Sequence, residues 1–154
     1  MMTDQHHDDA ADDNYNNKAY RDVPGTTIFD ADQSRQGYWL NQFCMSLMSP
    51  EARDRFRADE VASLEEWPMT AEQRQAVRDR DFNRMIELGG NIYFLAKIGA
   101  TDGLSFQQIA SSMTGMSEQE YRDMMIAGGR SPEGNRYRHE WAPAGAGAEA
   151  EHRS

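Results

Sequence analysis

Apolar residues recur along this chain at the three- and four-residue spacing of helices. The clearest case is a stripe in which each member lies on one helical face, formed by Leu40, Phe43, Cys44, Leu47 and Met48. No segment alternates between apolar and polar residues over the length of a strand, and no repeat or heptad array is visible. The pattern predicts an all-α fold, an irregular bundle of about six or seven short helices with disordered termini.

Capping residues divide this pattern into helices. Asp30, Thr70, Ser105 and Ser117 each precede a helical stretch, with Gln or Glu three residues later. The sequence Ser-Pro-Glu at 49–51 combines a cap, a proline at the first helical position and an acid near the positive end of the dipole. We expect the helix that follows to run to Trp67, with a bend near Asp59. The segment 71–80 is mostly polar and is expected to face solvent.

The most apolar stretch runs from Gly89 to Met116. Gly89 and Gly90 are expected to stop the preceding helix, because glycine reaches left-handed φ without a Cβ clash. Asn91 is placed to cap the next helix, and Thr-Asp-Gly at 101–103 is typical of a turn. The stretch therefore predicts two short helices joined by a tight turn. The ten methionines of the chain are either core filler or an adaptable contact surface.

Composition suggests three parts. Residues 1–20 are rich in Asp, Asn and His and are expected to form a disordered acidic tail. Residues 21–135 are expected to form the helical domain, and residues 136–154, rich in Ala, Gly and Glu towards their end, a flexible tail. With 154 residues in all, the chain amounts to one domain.

The net charge of −10 argues against binding to nucleic acid or to anionic membranes, since basic patches drive both. No apolar run approaches the roughly 20 residues of a membrane span. The acidic start lacks the pattern of a signal peptide. We expect a cytoplasmic protein.

The distribution of histidine limits the chemistry of the expected domain. The four histidines, His6, His7, His139 and His152, all lie in the two tails. The single cysteine, Cys44, lies within an apolar helical stripe and is expected to be a small buried residue. An Fe(II), zinc or haem site of the usual kind therefore has no ligand set in the domain, and neither has a Ser-His or Cys-His mechanism. We expect no catalytic residue and no metal ligand in this chain.

Several separated strings resemble the alpha (small) subunit of protocatechuate 4,5-dioxygenase, in the extradiol ring-cleavage dioxygenase family. They are GYWLNQFCMSLM at 37–48, GGNIYFLAK at 89–97, TDGLSFQ at 101–107, SMTGM at 112–116 and MMIAGGRSP at 124–132. The resemblance runs from about Val23 to about Asn135. The departures from the family lie at the two termini.

This resemblance implies an enzyme with two kinds of subunit, expected as a heterotetramer of two alphas and two betas. The catalytic beta subunit would bind Fe(II), and the helical alpha subunit would cover its site as a lid. By the same resemblance, Phe106 in the Ser-Phe-Gln string lines the substrate pocket; plain core packing is the alternative for this residue. This chain alone is expected to be inactive.

Two other functions remain open from the sequence. The substrate is protocatechuate by resemblance, but gallate or another substituted catechol is possible because the partner sets most of the choice. Bulk composition alone also permits a helical interaction or adaptor protein without an enzyme partner.

Overall fold

The computed structural model describes residues 18–137 and residue 140. They belong to two compact units. The smaller unit includes described residues 18–28 and 131–137, with a 3-10 turn over Ala19–Asp22 and a hydrogen bond from Gly25 N to Arg136 O (3.1 Å). The larger unit is Phe29–Arg130. Most of the two predicted tails lies outside the described residues, so their expected disorder stays a prediction.

The larger unit is built of α-helices, and the described part of the chain contains no strand. The helices are α1 (Ala31–Gln36), α2 (Tyr38–Ser46), α3 (Pro50–Ala58), α4 (Glu60–Glu65), α5 (Ala71–Arg78), α6 (Phe82–Glu87), α7 (Ile92–Thr101), α8 (Phe106–Thr114) and α9 (Glu118–Ile126). The predicted all-α class is confirmed.

Nine helices appear in the described residues where six or seven were predicted, because two predicted helices are each divided. At Gly37 the backbone turns between α1 and α2, with φ −93° and ψ 8°. At Asp59 the chain becomes extended, and the Asp59 side chain accepts a hydrogen bond from Ala62 N (3.1 Å). The expected bend near Asp59 is therefore a full helix boundary with its own cap.

The predicted caps are confirmed. Asp30 accepts a hydrogen bond from Gln33 N (2.9 Å), and the side chains of Ser49 and Asn91 cap α3 and α7. Both bonds of a capping box form at the start of α5, α8 and α9. These pairs lie three residues apart, so the local sequence alone decides where the helices begin.

The core lies between α2 and α7, which pack along each other, with α3 to α6 and α8 around them. Its buried residues are Leu40, Phe43, Cys44, Leu47, Phe56, Leu64, Met69, Ala76, Val77, Phe82, Met85, Leu88, Leu95, Ile98 and Ile109. At the crossing of α7 and α8, Gly99 leaves room for Ile109, whose Cδ1 lies 2.2 Å from where a Cβ on Gly99 would be. Glycine therefore sets how closely these two helices approach.

Helix α5 corrects the expectation that the polar segment 71–80 faces solvent. Its residues Gln73, Ala76 and Val77 are buried. The amide of Gln73 donates from Nε2 to Gln36 O (2.9 Å) and to Leu88 O (3.0 Å). Burial is tolerated because these donors are satisfied, and a hydropathy pattern does not register such a residue as internal.

No helix among the described residues is both long enough and apolar enough to cross a membrane.

Candidate functional site

The described residues contain no group of three or more His, Cys, Asp and Glu side chains placed to hold a metal ion. Residues 18–137 and 140 also contain no histidine. The donor set of this part of the chain therefore does not fit a bound iron, which requires several imidazole and carboxylate ligands.

Phe106 is the first residue of α8 and its side chain is 59% exposed. Ser105 accepts a hydrogen bond from Gln108 N (3.1 Å), and Gln108 Oε1 accepts one from Ser105 N (2.9 Å). This reciprocal pair fixes the backbone on which Phe106 stands. Because Phe106 is exposed, it is not part of the buried core of the described residues. Its contact with a substrate stays a prediction.

The exposed side of α2 and α7 carries further apolar residues. Tyr38 and Met45 on α2 are 50% and 37% exposed, Met48 just beyond α2 is 63% exposed, and Tyr93 on α7 is 78% exposed. The methionines thus divide between the two expected roles, since Met85 is buried while Met48 faces solvent. Flexible thioether side chains at an exposed site suit an adaptable contact surface.

A second exposed aromatic group lies at the start of α2. The rings of Tyr38 and Trp39 meet edge to face at 4.9 Å, and Trp39 lies 6.3 Å from Trp67. Trp67 in turn lies 6.4 Å from the buried Phe43. The core therefore extends to the surface through a chain of ring contacts.

A groove of about 430 Å³ lies where α2 ends beside α3 and α7. It is lined by Leu47, Met48, Arg53, Lys97, Ala100 and Thr101. We call it the cationic groove, because two of its six lining residues are positively charged.

Both cations of the cationic groove are held by backbone oxygens. Arg53 Nη1 donates to Leu47 O (2.9 Å) and Met48 O (3.0 Å), the carbonyls at the end of α2. Lys97 Nζ lies 3.5 Å from Tyr93 O, one turn earlier in α7. The described residues supply no carboxylate that forms an ion pair with either cation.

Cys44 is fully buried, as predicted. Burial raises the pKa of its thiol to about 12, although the charge of Lys97 acts in the opposite direction. A thiol that stays protonated at neutral pH is not a nucleophile, so Cys44 is a core residue.

The chain matches a known protein family over most of its helical unit. The model of the family described as "Aromatic-ring-opening dioxygenase LigAB, LigA subunit" matches residues 40–126, more than half of the chain. The chain belongs to this family. The match includes Phe106, Lys97 and the whole of α2 to α9 except the first two residues of α2.

A gallate dioxygenase of Pseudomonas putida is 31% identical to the chain over 99 residues. The alignment covers 64% of this chain and 29% of that protein. The chain therefore spans less than a third of the length of this relative.

Phe106 was predicted as a site residue from the family resemblance, whereas Arg53 and Lys97 were not. One signal was available, since Lys97 is the one charged residue in the sequence between Leu88 and Thr101. A single cation in so apolar a helix indicates that its side chain makes a specific contact. The place of Arg53 in the same groove depends on the tertiary fold, which local sequence does not reveal.

Proposed function

We propose that this chain is the non-catalytic alpha subunit of an extradiol ring-cleaving dioxygenase and closes the substrate pocket of an Fe(II)-binding large subunit. The observation that carries the proposal is the exposed Phe106, held on a capped helix start within the family match. The described residues offer no ligand set for iron, so the proposal assigns the metal and the catalytic base to the large subunit. Two copies of each subunit would form the enzyme.

The role proposed for Phe106 is to hold the substrate ring and to exclude water. A ring–ring contact contributes about 0.5–1.5 kcal/mol beyond the burial of apolar area. A lid over the site also removes water that would divert reactive intermediates. The capping box of α8 favours this role, because the backbone under Phe106 is ordered before substrate binds.

The substrate is a catechol that carries a carboxylate, with protocatechuate as the first candidate. The gallate dioxygenase relative supports gallate equally well. The ratio of kcat/KM for the two compounds, measured on the assembled enzyme, decides between them.

Ring cleavage measured by oxygen uptake and product absorbance tests the proposal. Three preparations are compared in the presence of Fe(II): this chain, the large subunit from the same organism, and the two together. We expect activity in the mixture only, or far more there, and a complex of two plus two chains by light scattering. A large subunit that is equally fast and equally stable alone would refute the lid role. Association without any gain in activity would favour an adaptor protein.

Replacement of Phe106 by alanine tests its part in the pocket. We expect kcat/KM to fall about 2- to 13-fold from the lost ring–ring contact alone. The melting temperature should not change, because the side chain is largely exposed. Met125→Ala, which truncates a side chain that is 53% exposed on α9, is the matched control and should leave kcat/KM unchanged. Unaltered kinetics of Phe106→Ala in a stable complex would remove Phe106 from the pocket.

A further inference from the structure

We infer that the cationic groove is the place where this chain docks onto the large subunit, and that it receives a carboxylate side chain flanked by apolar residues. The inference rests on the proposed function, because it names a contact surface for the partner proposed there. It concerns surface recognition and does not involve the substrate.

Arg53 has side-chain donors that no described residue occupies. Arg53 makes its two side-chain hydrogen bonds through Nη1 alone, to Leu47 O and Met48 O. Its Nε and Nη2 groups donate to nothing among the described residues. Those two bonds fix the guanidinium plane, so a carboxylate that approaches the free edge meets a donor that is already oriented.

Lys97 supplies the second charge. Its ammonium makes one long contact, 3.5 Å, to a carbonyl of its own helix, and the residue is partly buried. Two partly buried cations in one groove repel each other and lack a counter-charge inside the described chain. An acidic side chain from another molecule would relieve both effects.

Ion pairing varies among the arginines of the larger unit, and Arg55, Arg74 and Arg78 form no ion pair among the described residues. Arg80 is paired with Glu60 and Asp102, and Arg84 with Glu72 and Glu87. The chain has 26 acidic residues and a net charge of −10. No carboxylate among the described residues nevertheless pairs with Arg53 or Lys97. A carboxylate of the large subunit would be the charge that complements the two cations.

The cationic groove also has an apolar wall. Leu47, Met48 and Ala100 line the groove beside the two cations. Met48 is 63% exposed, and its flexible thioether side chain can adapt to a partner that covers it. The groove therefore places apolar and cationic side chains next to each other, as an acidic residue with an apolar neighbour would require.

The cationic groove lies close in sequence to Phe106. Ala100 and Thr101, which line the groove, form the end of α7, and the chain reaches Phe106 five residues later. Arg57 holds this end by donating from Nε (3.1 Å) and Nη2 (2.8 Å) to Thr101 O. A partner seated in the groove would thus fix the end of α7 from which the Phe106 loop departs. Docking and lid placement would share one rigid support.

The test is the dissociation constant of the complex between the full chain and the large subunit, measured by calorimetry at low and high salt. Lys97→Glu reverses one charge of the groove, and Met48→Glu adds a negative charge to its apolar wall. Each should raise Kd at least tenfold. Lys97→Gln should have a smaller effect and should weaken the dependence of Kd on salt. Arg53 is left intact, because its loss would free two carbonyls at the end of α2.

Matched controls carry the same changes elsewhere. Arg55→Glu reverses an exposed charge on α3 outside the groove lining, and Val61→Glu adds a charge at a side chain that is 43% exposed on α4. Both should leave Kd within about threefold of the wild-type value. Circular dichroism and the melting temperature of each variant confirm that it folds.

The outcomes separate the two proposals. Failure of the wild-type chain to bind the large subunit would overturn the proposed function and this inference with it. Wild-type binding that Lys97→Glu and Met48→Glu leave unchanged would overturn the docking surface alone. So would dimerisation of the isolated chain that depends on Lys97, or saturable binding of benzoate to the isolated chain at Lys97 in NMR spectra without effect on association.

Discussion

At the scale of single residues, Arg80 carries more interactions than any local pattern suggests. Its guanidinium donates from Nε to Asp102 (2.7 Å), pairs with Glu60, and lies 5.2 Å from the centre of the Phe56 ring. Burial alone would lower the pKa of Arg80, but the hydrogen bonds and charges of Asp102 and Glu60 outweigh it and raise the pKa. The side chain is therefore a permanent positive link between α4 and the end of α7.

The backbone of Arg80 adopts an unfavourable conformation. Its φ is +54°, the one positive value for a residue other than glycine among the described residues. A left-handed conformation costs an L-residue about 1–2 kcal/mol. The ionic network around the side chain offsets that strain.

Two substitutions separate the side chain from the backbone. Arg80→Ala removes the network and keeps the strain, so we expect it to lower the free energy of unfolding by about 2–3 kcal/mol. Arg80→Gly removes both and should cost about 1 kcal/mol less than Arg80→Ala. Urea denaturation followed by circular dichroism measures the difference. Equal losses for the two variants would show that the φ of Arg80 stores no strain.

Residues differ in how far the sequence could predict them. The cap formed by Ser105 and Gln108 was predictable because both partners lie within one helical turn. The ion pair of Arg80 with Asp102 and the bond of Gln73 to Gln36 were not, because these partners are 22 and 37 residues away in the chain. Phe106 was identified through family resemblance, and its exposure follows from packing rather than from local pattern.

At the scale of elements, two helix junctions of the larger unit approach each other closely. Gly37 lies between α1 and α2, and Gly89 lies between α6 and α7. A Cβ on Gly37 would lie 1.8 Å from Gly89 O. Asn41 completes the junction by donating from Nδ2 to Gly89 O (3.1 Å) and accepting at Oδ1 from Asn91 N (2.9 Å).

This junction explains why one predicted helix became two. A single glycine inside a helical pattern does not by itself end a helix, so the sequence indicated one helix from Asp30 onwards. The break at Gly37 serves the contact with Gly89, which is 52 residues later in the chain. Such a requirement is visible only once the two junctions are brought together.

A pair of alanine substitutions tests the junction. Gly37→Ala should lower the free energy of unfolding by about 3 kcal/mol, because its φ of −93° suits alanine but its Cβ meets backbone atoms that cannot move aside. Gly103→Ala is the counterpart, with φ +82° and open space around the Cβ. It should lose only about 1–2 kcal/mol from backbone strain. A milder effect at Gly37 than at Gly103 in thermal or urea unfolding would contradict the close contact.

At the scale of the whole molecule, the core and the family match fall within the same unit. Every buried residue of the core cluster lies between Leu40 and Ile109, and the match covers residues 40–126. Both ranges lie inside Phe29–Arg130. The proposed lid and the cationic groove belong to this unit as well. Among the described residues, every member of the core cluster thus comes from the larger unit.

A fragment of residues 29–130 should consequently fold by itself. We expect a helical circular dichroism spectrum and one cooperative unfolding transition, because the fragment retains every core residue identified among the described residues. The fragment should also bind the large subunit with a Kd within about threefold of that of the full chain, since the proposed docking surface is retained. A fragment that ends at Thr101 is the control and should unfold, because it lacks α8 and the buried Ile109. A molten 29–130 fragment would show that the smaller unit is needed for folding. A folded fragment that fails to bind would instead place part of the docking surface in residues 1–28 or 131–154.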